Sequence, residues 1–268
     1  MYIKKAEKPQ QGHMEEFIAM DDLGKRMGRA TLSGFMNEMQ MPLRPYELTV
    51  QVHGHNEAWP QLVAAATVSA MVAIRGRDPQ VPSRVLAPCG ARNHVYLQLL
   101  RSIGYQNDDA LVRMRRGDIL GSSTAHPPQG TLLIRDTLDD PAERRFFLAR
   151  CQKLFGMADP EAWLSEKAAL GAFQRLLLAA DDGLAGEALC WLRPDGPGEV
   201  GVIYTAPNWR RKGAGLCLME AARVHLSQHG AEEIVYDVRK RNVAATQLGY
   251  SAGYRPGETL MLLPGIDL

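Results

Sequence analysis

The sequence predicts an α/β fold (a mixed α+β sheet architecture) with two tandem domains, each built on a mixed sheet with helices among its strands. Hydrophobic residues make up 46% of the 268 residues and charged residues 23%, a balance that supports a sizeable core and argues against disorder. In the second half, short β-type runs alternate with segments of helical period. Four residues recur in the same order 149 or 150 positions apart, which indicates an internal duplication.

The second half supplies the clearest order of elements. Residues 131–135 predict a strand, and Asp139-Asp140-Pro141 has the carboxylates and proline of a first helical turn. Asp159-Pro160-Glu161 marks a second helix start of the same kind. The remaining predicted elements are, in chain order, a hairpin of strands 173–180 and 186–192, a strand at 199–205, an amphipathic helix through 216–226, a strand at 233–238, a short helix at 242–249 and a final strand at 259–263.

The first half repeats the later part of this order. Its predicted elements are strands 28–36 and 47–53, a helix at 59–74, a strand at 84–87, a helix at 93–103 and a strand at 111–115. No counterpart is predicted for the opening strand and the two helices of the second half. The first copy is therefore expected to be truncated.

The recurring residues and a linker-like segment set the predicted domain bounds. The pairs are Asn93 with Asn242, Gly104 with Gly253 and Tyr105 with Tyr254, each 149 positions apart, and Trp59 with Trp209, 150 apart. The alternative to duplication is that each pair merely marks a helix boundary. Residues 117–130 are rich in Gly, Ser and Pro, a composition typical of a linker. The predicted organisation is a domain at 1–117, a linker at 118–130 and a complete domain at 131–268.

Net charge and cysteine spacing narrow the class of protein. A formal net charge of +1 and a pI of about 7.7 argue against a dedicated nucleic-acid binder. The N-terminus has no apolar stretch behind its positive charges, and the longest mostly apolar run, residues 62–74, is too short to span a bilayer. The four cysteines, which form no CxxC pair, are Cys89, Cys151, Cys190 and Cys217. This pattern favours buried free thiols in a cytoplasmic protein over a zinc site.

A glycine-rich basic segment, Arg210-Arg211-Lys212-Gly213-Ala214-Gly215, stands between a predicted strand and an amphipathic helix. A helix N-terminus offers unpaired N–H groups and a partial positive charge, both suited to a phosphate. Glycines let the backbone approach an anion closely, and the three side-chain cations add attraction. An ordinary basic loop before a surface helix is the alternative for this hexapeptide taken alone.

Its surroundings resemble the acyl-CoA signature of the GNAT acyltransferase superfamily. The strand at 200–205, Ala206-Pro207 and the pattern Arg210-x-x-Gly213-x-Gly215 carry that resemblance. Asn242, Ala245, Leu248 and Gly253-Tyr254 are similar to a second element of the family. The predicted order of elements over residues 130–268 is also the family's order, so the fold is expected to be two tandem GNAT-like domains with a degenerate first copy.

The resemblance implies a site for acetyl-CoA as acyl donor. The strands at 199–205 and 233–238 should splay apart with pantetheine between them, and the basic loop should hold the pyrophosphate. The implied CoA-binding residues are Ile203, Tyr204, Thr205, Arg210, Arg211, Lys212, Gly213, Ala214, Gly215 and Asn242. Backbone groups at Ile203 to Thr205 would polarise the thioester carbonyl, on which charge develops as an amine attacks.

The pattern departs from the family where catalytic side chains are expected. The family often has a tyrosine seven residues after the asparagine, as the acid for the thiolate, and here that position is Gly249. Tyr250 follows, about 100° further round the helix, and could face the site only if the helix ends early. Glu187 and Asp237 are the candidate general bases, although each pattern is also that of an outward-facing carboxylate. Water can protonate the departing thiolate, whose pKa is about 8.5.

The first half lacks the features of a CoA loop. At the equivalent position it has Trp59-Pro60-Gln61-Leu62, with neither glycine nor cation. Its expected role is structural: packing, completion of the acceptor cleft, or dimerisation. His53 and His55 share a strand face, but no third ligand accompanies them, so no metal site is predicted.

The predicted function is an N-acetyltransferase that moves an acetyl group from acetyl-CoA to a small amine or a peptide N-terminus by direct attack in a ternary complex. The alternative is a non-catalytic acyl-CoA-binding sensor or assembly module, which the glycine at position 249 favours. Neither nucleic acid nor membrane is an expected partner, and the sequence leaves a homodimer open.

Overall fold

In the computed structural model, the described residues are 1–10, 12–37, 41, 43–78, 80–121, 125–157, 159–194 and 196–268. The chain divides into two compact units, and neither is continuous in sequence. Unit 1 comprises Met1–Leu111, Gln152–Ala158 and Thr259–Leu268, whereas unit 2 comprises Val112–Cys151 and Asp159–Glu258. These bounds differ from the predicted halves, which met at a linker in 118–130. Residues 122–124 of that segment lie outside the described residues.

Among its described residues, unit 1 contains a six-stranded sheet and two α-helices. Its strands, in spatial order, are β1 (Tyr2–Lys5), β2 (Glu15–Met20), β3 (Arg26–Met36), β4 (Tyr46–Gly54), β5 (Ser83–Leu86) and β13 (Gly265–Asp267). The helices are α1 (Trp59–Arg77) and α2 (His94–Ser102). Only β4 and β5 pair in parallel, and α1 connects them. Such a connection is the usual way to join parallel neighbours.

Helix α1 is the central core helix of unit 1. With the turn before it, Asn56–Arg77, it is long and apolar enough to cross a membrane by length and composition, with a mean hydropathy of 1.3. It lies against β2, β3 and β4, and Leu62, Val63 and Ala66 on its inner face are fully buried. The opposite face of α1 carries Val68 and Val72, which are exposed, so α1 packs into the core of unit 1 by one face.

The described part of unit 2 contains a seven-stranded mixed sheet and four α-helices. Its strands, in spatial order, are β12 (Arg255–Leu262), β6 (Ala110–Arg116), β11 (Ile234–Arg239), β10 (Gly198–Thr205), β9 (Gly183–Leu192), β8 (Gly171–Ala180) and β7 (Thr131–Asp136). Its helices are α3 (Pro141–Phe155), α4 (Pro160–Ala168), α5 (Ala214–Gln228) and α6 (Val243–Ser251). Helix α5 packs on β8, β9 and β10 and forms the centre of the hydrophobic core.

The two sheets share one order of neighbours. The succession β1-β2-β3-β4-β5 matches β7-β8-β9-β10-β11. Within each succession the first three pairs are antiparallel and the last pair, β4 with β5 or β10 with β11, is parallel. The prediction that the first half lacks an opening strand is therefore wrong, because β1 and β2 are present. Among its described residues, the first half has no counterpart of the helix pair that follows β7, and residues 6–14 connect β1 to β2.

Each sheet is completed by a strand from the other half of the sequence. After Leu111 the chain passes from unit 1 into unit 2, and β6 takes its place between β11 and β12. After Glu258 the chain passes from unit 2 into unit 1, where β13 pairs antiparallel with β5. Arg84, which is fully buried on β5, pairs with Asp267 of β13. The sequence predicts β6 as a strand at 111–115, but not the sheet that it joins. It does not predict β13, since the last predicted strand, 259–263, lies on β12.

The recurring residues occupy equivalent places in the two units. Asn93 and Asn242 cap α2 and α6 by accepting hydrogen bonds from backbone N–H groups three residues on, at 3.2 and 3.1 Å. Gly104 and Gly253 follow those helices with φ of 97° and 81°, in the left-handed region that ends helices. The pairs therefore do mark helix boundaries, within sheets of the same strand order. The four cysteines are buried and free, as predicted.

Candidate functional site

A gap between β10 and β11 is the central feature of the candidate site in unit 2. The two strands pair in parallel at three positions and stop at Val200↔Tyr236. Beyond that point β10 continues to Thr205, paired with β9 alone, while β11 continues to Arg239. Two adjacent strands that stop pairing leave a crevice between them at that end of the sheet.

Backbone groups of β10 face this crevice. The N–H of Ala206 donates to the carbonyl of Ala185 on β9 at 3.0 Å. Because successive backbone groups of an antiparallel strand point alternately to either side, those of Tyr204 also face β9, whereas those of Ile203 and Thr205 face the crevice. Consistent with this, the Thr205 carbonyl accepts a hydrogen bond from Arg210 Nε at 3.4 Å.

A β-bulge at Gly201 sets the course of β10 towards its end. The register with β9 shifts between Val200 and Val202. A Cβ on Gly201 would lie only 2.6 Å from Cζ2 of Trp191, which is 1% exposed and packs edge-on against Trp163 at 5.9 Å. Only glycine fits under this ring, so the bulge is fixed by packing.

The N-terminus of α5 lies just after the gap. Its N-cap is Gly213 with φ of 88°, and no side chain caps the helix. The first N–H groups of any helix have no intrahelical acceptor, and here no side chain replaces one. Arg211 also has a left-handed backbone, with φ of 62°, a conformation that costs a non-glycine residue roughly 1 kcal/mol or more. A strained turn followed by an uncapped helix is suited to bind an anion.

The cations predicted for this loop are exposed beside the helix end. Arg210, Arg211 and Lys212 are all solvent-exposed. Lys212 Nζ lies 4.9 Å from the centre of the Trp209 ring, a cation–π contact that keeps the ammonium near α5. Gly215, in the first turn of α5, lies close to Thr205, since a Cβ on Gly215 would be 3.4 Å from Thr205 Oγ1. The loop, the helix end and the end of β10 are thus close together.

Helix α6 begins with Asn242 and passes Gly249 without interruption. Asn242 uses its side-chain oxygen as the N-cap, which leaves the amide NH₂ as its donor group. A Cβ on Gly249 would lie 2.7 Å from Met114 Sδ and 3.7 Å from Tyr236 Cδ1. The space that a tyrosine would need at position 249 is therefore filled by Met114, a 1% exposed residue of β6.

Tyr250 could face the site only if α6 ended early, and α6 does not end early. The helix continues to Ser251, so Tyr250 stays about 100° away from the direction of residue 249. Its side chain is 46% exposed.

Glu187 is buried, contrary to the expected outward-facing carboxylate. It is 2% exposed, and Arg150 of α3 donates to both of its oxygens at 2.6 and 2.8 Å. Arg175 Nη1, which is buried and has no hydrogen-bond partner, lies 3.9 Å from Glu187 Oε2. The outward-facing alternative therefore does not hold, and strand alternation alone cannot reveal this because the cationic partners come from α3 and β8. The role of Glu187 as a general base stays a prediction. Glu187 lies directly across from Tyr204 in the sheet.

Asp237 is also held by an arginine. Arg113 of β6 donates from Nε and Nη2 to its two carboxylate oxygens, both at 2.9 Å. Asp237 is the first residue of β11 after its pairing with β10 stops. Both carboxylate oxygens of Asp237 are thus engaged in charge-assisted hydrogen bonds. Sequence reasoning missed Arg113, Met114 and Arg150, for which the sequence has no local signal.

The corresponding region of unit 1 is closed. The N-cap of α1 is Ala58, with φ of −87°, and a proline follows in the first turn. Where unit 2 has Ala245, unit 1 has Tyr96, whose buried ring packs edge-on against Trp59 at 5.1 Å. His53 is the second-last residue of β4, and His55 is the N-cap of a short 3₁₀ turn at Asn56–Ala58. Within the described residues, no group of three or more His, Cys, Asp or Glu side chains could hold a metal.

Comparison with known protein families gives one match. Residues 137–254, which include the basic loop and Asn242, match the model of the acetyltransferase (GNAT) family. No curated protein sequence matches the chain significantly.

Solved structures with similar folds extend the likeness to both units. A GCN5-related N-acetyltransferase from Sphaerobacter thermophilus is 17% identical, with a TM-score of 0.53 over 94% of this chain and 80% of that one. A tandem GNAT protein from the clavulanic acid biosynthesis pathway is 12% identical, with a TM-score of 0.52 over 97% and 84%. A probable N-acyltransferase from Enterococcus faecalis is 10% identical, with a TM-score of 0.56 over 94% and 62%. At these identities the likeness concerns the fold.

Proposed function

We propose that unit 2 binds acetyl-CoA, or a related acyl-CoA, and transfers the acyl group to an amine. The observation that carries the proposal is the uncapped N-terminus of α5, with Gly213 at φ of 88° and exposed cations, beside the crevice between β10 and β11. The pyrophosphate is bound at that helix end by N–H groups and by Arg211 and Lys212. Pantetheine passes between the strands, with the Asn242 amide as a donor from the second wall.

The proposed reaction is direct attack in a ternary complex. The amine nitrogen forms a bond to the thioester carbonyl carbon, the carbon–sulfur bond breaks, and CoA leaves as a thiolate. The N–H of Ile203 or Thr205, both facing the crevice, stabilises the charge on the carbonyl oxygen. The amine loses its proton to solvent or a base, and water protonates the thiolate, because Gly249 supplies no acid. Tyr204 and Glu187 lie side by side on the face of β9 and β10 opposite α5, where we propose the acceptor binds.

The test compares two glycines at the two ends of α5. Gly213 and Gly230 have φ of 88° and 87°, and neither has an atom within 4 Å of a Cβ. Gly213→Val and Gly230→Val therefore impose similar strain, whereas only the first puts a branched side chain at the proposed phosphate site. Calorimetry with CoA should give micromolar binding for the wild type and for Gly230→Val, and at least a tenfold weaker Kd for Gly213→Val. Equal affinity of the two variants, or a wild type that does not bind CoA, contradicts the proposal.

A non-catalytic acyl-CoA sensor is the second candidate, because Glu187 and Asp237 are both engaged by arginines and Gly249 is closed off by Met114. Thiol release from acetyl-CoA with a panel of amines and peptide N-termini separates the two. The enzyme releases CoA with at least one acceptor above the rate of hydrolysis. A sensor binds CoA, with the same dependence on Gly213, but releases none with any acceptor.

We further propose that the first half is a decayed copy that binds no CoA. The shared strand order supports duplication, and the closed loop and the Trp59–Tyr96 contact support loss of binding. Calorimetry should therefore give one CoA per chain.

A further inference from the structure

We infer that β6, the strand that enters unit 2 from the first half of the sequence, holds open the acyl-CoA crevice, with Arg113 and Met114 as positioning residues. This inference rests on the proposed function of the same site. The crevice is bounded by β11, α6 and α5, in addition to β10. Arg113 of β6 contacts β11, Met114 contacts α6, and Arg116 contacts α5.

Arg113 holds β11 at the point where it leaves β10. The last pair between β10 and β11 is Val200↔Tyr236, and the next residue, Asp237, forms the bidentate ion pair with Arg113. Both partners are largely buried, with side chains 15% and 24% exposed. A two-point contact fixes direction as well as distance. It therefore draws β11 towards β6, on the side away from β10.

Met114 supports the helix that forms the far wall. Its thioether lies against Gly249 of α6, and Met114 belongs to the same core cluster of unit 2 as Tyr236 of β11. The absence of a Cβ at position 249 lets α6 approach β6 this closely. Helix α6 starts at Asn242, so its position determines where the Asn242 amide lies along the crevice.

Arg116 joins β6 to both helices. Its guanidinium pairs with Glu220 of α5 and donates to the carbonyl of Ala252, at the end of α6, at 2.5 Å. Glu220 in turn pairs with Arg223, which is 2% exposed and donates to the carbonyls of Ile119 and Gly121. The segment that follows β6 is thereby anchored on α5. The end of α5 that binds phosphate is part of the same rigid helix.

The same strand provides a matched control. Arg115 lies two residues from Arg113 and pairs with Glu233 and Glu258, but it is 43% exposed and touches no residue at the point of divergence. Arg113→Gln and Arg115→Gln remove the same charge from the same strand. Calorimetry with CoA, at a temperature at which both variants are folded, should give about a tenfold higher Kd for Arg113→Gln and a change of less than twofold for Arg115→Gln.

Two substitutions of Met114 provide a second, independent test of the inference. Met114→Ala removes the support of α6 and should raise the Kd for CoA several-fold, together with faster amide exchange in α6. Met114→Leu has nearly the same volume and should restore both. The inference is overturned when Arg113→Gln and Met114→Ala bind CoA as the wild type does. If Arg113→Gln does not fold, the comparison of Met114→Ala with Met114→Leu decides. A wild type that binds CoA, with the expected loss in Gly213→Val, keeps the proposed function intact in that event.

Discussion

Replacing Glu187 by glutamine tests whether this buried carboxylate is structural or catalytic. The change keeps the shape of the side chain but removes the charge that faces Arg150 and Arg175. Two charge-assisted hydrogen bonds, at 2.6 and 2.8 Å, lose their anionic acceptor, and one amide N–H then faces the guanidinium. Breaking a buried ion pair costs about 3–5 kcal/mol. Because Arg150 is 27% exposed, solvent reduces this to about 2–3 kcal/mol.

The expected result is a lower melting temperature. For a protein of this size, about 2–3 kcal/mol corresponds to a decrease in Tm of roughly 5–10 °C, measured by calorimetry or circular dichroism. Glu161→Gln is the control, since Glu161 pairs with Arg144 but its side chain is 57% exposed, and its Tm should stay close to that of the wild type. A Glu187→Gln protein with unchanged Tm and a rate of thiol release reduced by about two orders of magnitude or more would refute the structural reasoning and identify a general base.

Three further predictions concern the stability of the fold and the reactivity of its thiols. Deletion of residues 264–268 removes β13 and Asp267, the partner of the buried Arg84, so it should lower the Tm of unit 1. The control, deletion of one residue from the N-terminus, should not lower the Tm by the same amount. Gly201→Ala should cost about 2–3 kcal/mol in denaturant unfolding, because the methyl group meets the boxed-in Trp191 ring; an unchanged midpoint contradicts the packing of the bulge. The four thiols should react with a disulfide reagent only after unfolding. Burial raises the pKa of two of them to about 12, so the folded protein keeps protons that the unfolded chain loses near pH 9, and urea midpoints should fall between pH 8 and 10.

Local periodicity predicts most elements of unit 2 because the central strands and α5 each bury a face of their own. The segments at 199–205 and 233–238 lie on β10 and β11, and the glycine-rich loop does open a helix, α5. The signals there are short-range: apolar alternation, a turn rich in glycine and a cap three residues from its partner. β1 and β2 escape prediction because β1 has charged residues and only four positions, and its partner has two adjacent glutamates at its start.

The parts that sequence could not predict depend on distant partners. Glu187 looks like a surface residue until Arg150, which lies 37 positions earlier, is placed beside it. Arg113 and Asp237 are 124 positions apart, so nothing in either neighbourhood signals their pairing. A strand pattern specifies which face is buried, but it does not specify which sheet the strand joins. For that reason the predicted domain bounds at 1–117 and 131–268 separate β6 from the sheet that contains it.

The crossing of the chain after Leu111 and again after Glu258 has a consequence for folding and concentration. In a single-copy protein with the same exchange, the completing strand would have to come from another molecule, and stability would then depend on dilution. Joining two copies turns that encounter into an intramolecular one, at the millimolar effective concentration that a short linker provides. The proposed duplication would thereby make stability independent of protein concentration. This benefit lies in the exchange of β6 and β13 between the two halves of the sequence, and it does not depend on CoA binding by the first half.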